Sequence, residues 1–128
     1  MDNMEPSNSI KSQKLREILK EIRKEGKLKA VLFSNRDGRL IREELEGDID
    51  SDLFSSMCAS VLESAQGLAN NLGDKKISKI IAELEQQSII IFECDNKTFL
   101  TLILKKESKI NKILENIENY IRKIIFMY

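Results

Sequence analysis

There is no histidine in this 128-residue chain, no tryptophan, and only one proline. Without histidine the chain lacks the commonest general base, every Ser-His or Cys-His nucleophile pair, and the ligand on which most transition-metal sites depend. An enzyme would have to work with carboxylates or lysines, and the sequence arranges none of these into a titratable constellation. The expectation is a non-catalytic protein with no catalytic residue, no cofactor-binding residue and no metal ligand. There is no excess of charge either. Lys plus Arg and Asp plus Glu number 21 each, so no overall field favours nucleic acid or an anionic membrane. Long apolar runs are missing too. The longest, residues 88–92 with their flanks, is far too short to span a bilayer. The segment Met1–Ser9 is polar and slightly acidic with no apolar stretch behind it, unlike a signal peptide. A cytoplasmic location is therefore expected, with membrane contact only indirectly through partners. The two cysteines, Cys58 and Cys94, have apolar neighbours and no CxxC spacing, and are read as buried reduced thiols.

The chain is long enough for one domain with a real core. Residues 1–11 carry Asn, Ser, Pro and charges without periodicity and read as a mobile arm ahead of a domain spanning 12–126. From Ser12, Leu15, Ile18, Leu19 and Ile22 fall at helical spacing, and Gly26 stands where a glycine would end the helix. Residues 11–29 hold eight basic and three acidic side chains, but without interleaved aromatics that basic face is a weak signal for phosphate or lipid.

Next comes "KAVLFSNRDGRLIREEL". Leu28–Ser34 is apolar and β-prone, Asn35–Gly38 is turn chemistry, and Arg39–Glu44 resumes with Leu40 and Ile41. Asp-Gly between two such runs predicts a β-hairpin, because glycine accepts the positive φ that a tight turn requires. An acidic loop follows, with Asp50 or Ser51 as the N-cap of the next helix.

Residues 53–73, "LFSSMCASVLESAQGLANNLG", are the most unusual stretch. Phe54, Cys58, Val61, Leu62, Ala65, Leu68 and Leu72 form a helical stripe expected to lie on a sheet. The opposite side holds Ser56, Ala59, Ser60, Ser64, Gln66, Gly67 and Asn70, and Glu63 is the sole charge among these 21 residues. Small, uncharged residues in a row let another helix come close, so this side is read as a contact face.

Three strands follow at 76–84, 88–94 and 98–104. The last two are apolar on both alternating faces, as central strands covered on both sides would be. Lys79 and Glu83 on one face place strand 76–84 nearer an edge. The last helix begins at Ser108, expected as its N-cap, and runs to about Phe126 with a stripe through Ile110, Ile113, Leu114, Ile117, Ile121 and Ile124. The order is α-ββ-α-βββ-α, an α+β fold. Drawn as a five-stranded antiparallel meander, with the middle helix on one face and the two terminal helices on the other, it satisfies every stripe. Leu102 is expected at the sheet centre and Ile22 nearer the periphery.

Two candidate motifs fail on spacing. "GLANNLGDK" ends a helix, where a phosphate loop would open one. The carboxylates of Glu43, Glu44, Glu46, Asp48, Asp50 and Asp52 lack the calcium-loop pattern.

The hairpin "VLFSNRDGRLI", the small-residue helix "FSSMCASVLESAQGLANNLG" and the closing run "ISKIIAELEQQSIIIFECDNKTFLTLILKKESKINKILENI" together resemble the Roadblock family. It is named for dynein light chains and shared with prokaryotic regulators of small Ras-like GTPases. The resemblance covers residues 12–125. Cys58 and several serines stand where relatives often carry mainly alanine. The resemblance implies a homodimer in which strand 76–84 pairs with its mate and the middle helices lie side by side. This puts Ser56, Ser60, Ser64, Gly67, Ile77, Lys79, Ile81 and Glu83 in the dimer interface. It further implies a scaffold or activating partner for a small Ras-like GTPase, contacted through Ser56, Ala59, Ser60, Glu63, Gly67 and Asn70. Arg36 and Arg39 are the fallback candidates for an arginine finger. The same meander also resembles longin and profilin-like folds, interaction modules of trafficking and of the cytoskeleton.

Overall fold

The computed structural model describes residues 6–128. The elements run α1 (Pro6–Gly26), β1 (Ala30–Asn35), β2 (Leu40–Leu45), α2 (Ser51–Asn71), β3 (Ile80–Glu83), β4 (Ser88–Glu93), β5 (Thr98–Leu104) and α3 (Ile110–Met127). This is the expected α+β order around one antiparallel five-stranded sheet, but the sheet is not a meander. Its strands lie in the order β2-β1-β5-β4-β3. β1 pairs with β5 from Ala30 opposite Ile103 to Asn35 opposite Thr98. The physical reason lies in the side chains. β2 carries Arg42, Glu43 and Glu44 and is only half-buried, so it fits an edge, whereas β5 is buried at every position and needs a neighbour on each side.

α1 and α3 cover one face of the sheet. Leu15, Leu19 and Ile22 of α1 and Ile113, Ile117 and Ile124 of α3 pack over Val31, Phe33, Ile90, Phe92, Leu100 and Leu102. Leu102 is fully buried, as expected of the centre, but so is Ile22. The two helices come so close that Ile22 belongs to the same core. α2 lies on the other face, over Ala30, Leu32, Ile91, Phe99 and Ile103.

Several boundaries differ from expectation. The arm over 1–11 falls partly on residues 1–5, which lie outside the described residues, while 6–11 already belong to α1. Proline is tolerated in a first helical turn because the missing N–H has no intrahelical partner there. Gly26 is not a left-handed cap. Lys27 takes the positive φ, 52°, and a Cβ on Gly26 would come within 2.4 Å of Ile113 Cγ1, so this glycine serves the close approach of α1 and α3. Ser108 does not cap α3 either. Its hydroxyl donates to Lys27 O at 2.8 Å and accepts from Lys105 N at 3.0 Å, tying the loop before α3 to the end of α1. Asp50 does cap α2, accepting from Leu53 N at 3.1 Å.

The Asp-Gly turn performs two tasks. Gly38 supplies φ of 97°, and its Cβ-less backbone sits where an added Cβ would lie 2.9 Å from Ser56 Cα. The turn thereby locks the hairpin against α2. Leu102→Ala should lower stability by about 2–5 kcal/mol through the cavity it leaves. Gly38→Ala should also destabilise, because both the positive φ and the contact with helix backbone oppose a side chain. Chemical denaturation of the two variants checks both.

Candidate functional site

α2 reaches the sheet through small side chains. Ser51, Ser55, Cys58, Ala59 and Leu62 are buried, and Ser55 Oγ donates to the buried Ser34 Oγ at 2.6 Å. No α2 residue beyond Leu62 is buried. The expected sheet-facing stripe is therefore only partly right. Cys58 and Leu62 face the sheet and Phe54 is half-buried, but Val61, Leu68 and Leu72 are 47%, 69% and 82% exposed. With Leu53 and Met57, also exposed, they form a second apolar stripe at spacings of four and seven, turned away from the core. The sequence reading assigned the largest apolar residues to the sheet. In fact a close-packed helix put its serines and alanine there, and the hydroxyl of Ser34 on β1 gave Ser55 a polar partner.

Beside this stripe lies a groove of about 160 Å³, walled by Phe54, Met57, Cys58 and Val61 of α2 and floored by Ile80, Ala82, Ile89 and Ile91. Its lining is apolar throughout. α2 covers the β2-β1-β5 side of this face and Ile91 of β4, and leaves Ile80 and Ile89 half-buried and Ala82 exposed. β3 ends the sheet, with Ile81 46% and Leu84 54% exposed. The strand is shorter than the expected 76–84, covering only Ile80–Glu83.

The proposed interface residues fall around this surface. Ser56, Ser60, Ser64 and Gly67 are exposed on α2, and Lys79, Ile81 and Glu83 are exposed on or next to β3, whereas Ile77 precedes the strand and is half-buried. Of the partner-binding set, Ser56, Ser60, Glu63, Gly67 and Asn70 are exposed. Ala59 is 8% exposed, packed beneath the hairpin turn, and presents nothing to a partner. This corrects its assignment. Sequence reasoning missed Leu53 and Met57; the signal was their four-residue spacing with Val61.

The arginines at the turn differ in their freedom. Arg36 Nη1 is ion-paired with Glu93 Oε2, while Arg39 is exposed. Cys58 and Cys94 are free thiols on opposite faces of the sheet, the first in the α2 cluster and the second against the α1/α3 core. Burial pushes the Cys94 thiol up to about 12, with Asp95 reinforcing the shift. Burial raises Cys58 as well, with the nearby Thr101 side chain opposing the shift. Among the described residues, no group of three His, Cys, Asp or Glu is placed to hold a metal ion, and no helix is long and apolar enough to cross a membrane.

A family model for the Roadblock/LC7 domain matches residues 14–104. The chain belongs to the Roadblock/LC7 family. Solved structures agree with that membership in fold. "MglB with tetrameric arrangement" superposes with a TM-score of 0.86 at 16% identity, covering 91% of this chain and 89% of the other. The gliding protein MglB from Thermus thermophilus gives 0.85 at 16% identity, covering 91% and 90%. Myxococcus xanthus MglB gives 0.82 at 19% identity, covering 88% and 94%. None of the curated proteins compared matches the sequence significantly. In this Roadblock/LC7 chain the hairpin, the small-residue helix and the three closing strands occupy the places the family resemblance gave them.

Gly67 meets nothing within 4 Å, so inside this chain it has the backbone liability of glycine without a packing reason. Gly67→Ala should stabilise the dilute chain by about 0.5–1 kcal/mol, opposite in sign to Gly38→Ala, as thermal denaturation would show. Native Cys58 and Cys94 should alkylate slowly at neutral pH, because raised pKa values keep both protonated. Mass spectrometry before and after unfolding reads that directly.

Proposed function

We propose that this Roadblock/LC7 protein is a non-catalytic, cytoplasmic homodimer that binds a small Ras-like GTPase. The observation that carries the reading is the bare apolar strip formed by α2 and the β3 edge. A patch of this kind marks an interaction surface. Of the two sheet edges, β2 is blunted by a bulge at Ile41, where the register shifts between Phe33 and Ser34, and by Arg42-Glu43-Glu44. β3 has no bulge and a single charge, Glu83, within the strand, and an edge left open in this way pairs with another strand.

Pairing two β3 strands about a two-fold axis perpendicular to the sheet continues the sheet across both copies. Both α2 helices then lie on one face, side by side and antiparallel. Each helix is about 31 Å long at 1.5 Å per residue, so the exposed C-terminal half of one, with Leu68 and Leu72, runs beside Met57 and the apolar groove of the other. The outward small residues Ser60, Ser64 and Gly67 remain on the joint helical surface with Ser56, Glu63 and Asn70. That surface, charged only at Glu63, is the contact for the GTPase.

The sequence offers no nucleophile–base pair, no histidine and no phosphate loop, and on this reading the isolated protein binds no nucleotide and hydrolyses none. Where it accelerates GTP hydrolysis, it does so by positioning the GTPase's own residues, because Arg36 is engaged with Glu93, the Arg39 guanidinium donates to the Asn35 side-chain oxygen at 2.7 and 3.1 Å, and α2 contains no arginine.

Val61→Lys should weaken self-association at least about tenfold, since a charge buried without a partner is strongly unfavourable. Lys20→Glu on the outer side of α1 should leave association unchanged. Sedimentation equilibrium measures both. Binding and single-turnover GTP hydrolysis with a small GTPase from the same cell test the partner. Specific binding that Val61→Lys or Gly67→Lys weakens supports the reading. GTP hydrolysis by the isolated protein, or no binding to any small GTPase of that cell, overturns it.

A further inference from the structure

The backbone of β3 limits how two copies meet. Leu84 N donates to Gln87 O at 2.8 Å across the β3–β4 turn, and Ala82 stands opposite Ile89 and Ile80 opposite Ile91. In an antiparallel ladder the hydrogen-bonded pairs alternate with pairs whose N–H and C=O point the other way. Leu84, Ala82 and Ile80 therefore bond toward β4. Ile81 and Glu83 turn their N–H and C=O groups to the free edge, and Lys79 continues that series. Only odd-numbered positions of one copy can then pair with odd-numbered positions of another.

Side chains choose among the registers that remain. We infer that two copies of β3 pair antiparallel with Ile81 opposite Ile81 of the second copy, which sets Lys79 opposite Glu83 of the second copy on both sides of the axis. This deepens the homodimer reading above and rests on it. Ile80 and Ala82 meet across the α2 face, continuing the apolar groove floor. On the α3 face an apolar pair is flanked by two opposite-charge pairs. Lys79 and Glu83 are both exposed, and neither enters an ion pair of its own chain among the described residues. Sliding one copy by two residues sets Ile81 against Glu83 in one direction and Lys79 against Ile81 in the other. A slide of four residues in the first direction sets Glu83 against Glu83. Cross-strand opposite charges stabilise and like charges destabilise, so the register centred on Ile81 is the one that matches throughout.

The test is a charge exchange read by analytical ultracentrifugation and native mass spectrometry. Lys79→Glu sets Glu against Glu twice, and Glu83→Lys sets Lys against Lys twice. Each homodimer should weaken by about tenfold or more. A mixture of the two variants should form the heterodimer in preference to either homodimer, and the double variant Lys79→Glu/Glu83→Lys should regain wild-type self-association. Both positions are exposed, so circular dichroism should show unchanged folding. Homodimers that persist in both single variants, or weakened variants that fail to recover on mixing, overturn the register while leaving the dimer intact. A wild-type chain that sediments as a monomer at tens of micromolar overturns the dimer reading itself.

Discussion

The pairing of β1 with β5 is the constraint on which the rest of the structure depends. It joins a hairpin from the first third of the chain to the closing strands, across roughly seventy residues, and loop closure over that span must be repaid by burial. The repayment is a strand, β5, buried at every residue. Once β5 sits between β1 and β4, the remaining strands have no choice: β2 and β3 become edges. One edge is bulged and charged. The other is short, apolar and open.

The same constraint explains why α2 has two apolar stripes. The sheet face beneath it offers Ala30, Ser34 and Thr101, small or polar groups beside Leu32, that let a helix settle closely on serine and alanine. That close seat covers one side of the face and leaves Ile80 and Ile89 half-buried and Ala82 exposed beside it. Fully burying an apolar side chain of this size is worth about 1.5–3 kcal/mol. Met57, Val61 and Leu68 therefore hold a reserve of stabilisation that the single chain does not use. Surface charge would be the ordinary way to keep such a helix soluble, yet α2 carries only Asp52 and Glu63. Its composition suits a helix with a partner.

Much of this was legible in the sequence because period and turn chemistry are local. Strands 88–94 and 98–104 announced themselves as central by being apolar on both faces, and Asp37-Gly38 announced the hairpin. What was not legible was long-range or steric. The meander failed because nothing local says whether the closing strands join the hairpin through β3 at β2 or through β5 at β1. Gly26 was read as a cap, whereas only the proximity of Ile113 shows its purpose. Ser108 looked like a cap and bonds instead to Lys27. For α2 the sequence identified a helix with a small-residue, nearly uncharged outer side but misassigned Val61, Leu68 and Leu72 to the sheet, since hydrophobicity alone does not rank a close-fitting serine above a leucine. Ala59 was assigned to a partner and is buried under Gly38 for the same reason.

Backbone amide hydrogen exchange along β3 tests the central claim most directly. If this edge joins two copies, the outward amides of Ile81 and Glu83 are hydrogen-bonded between chains. They should be protected at concentrations where the dimer forms and lose that protection on dilution, while the amide of Ala82, bonded toward β4, stays protected longer. Rapid exchange of Ile81 and Glu83 at every concentration, beside a protected Ala82, would mean that β3 remains an open edge, and it would contradict the account.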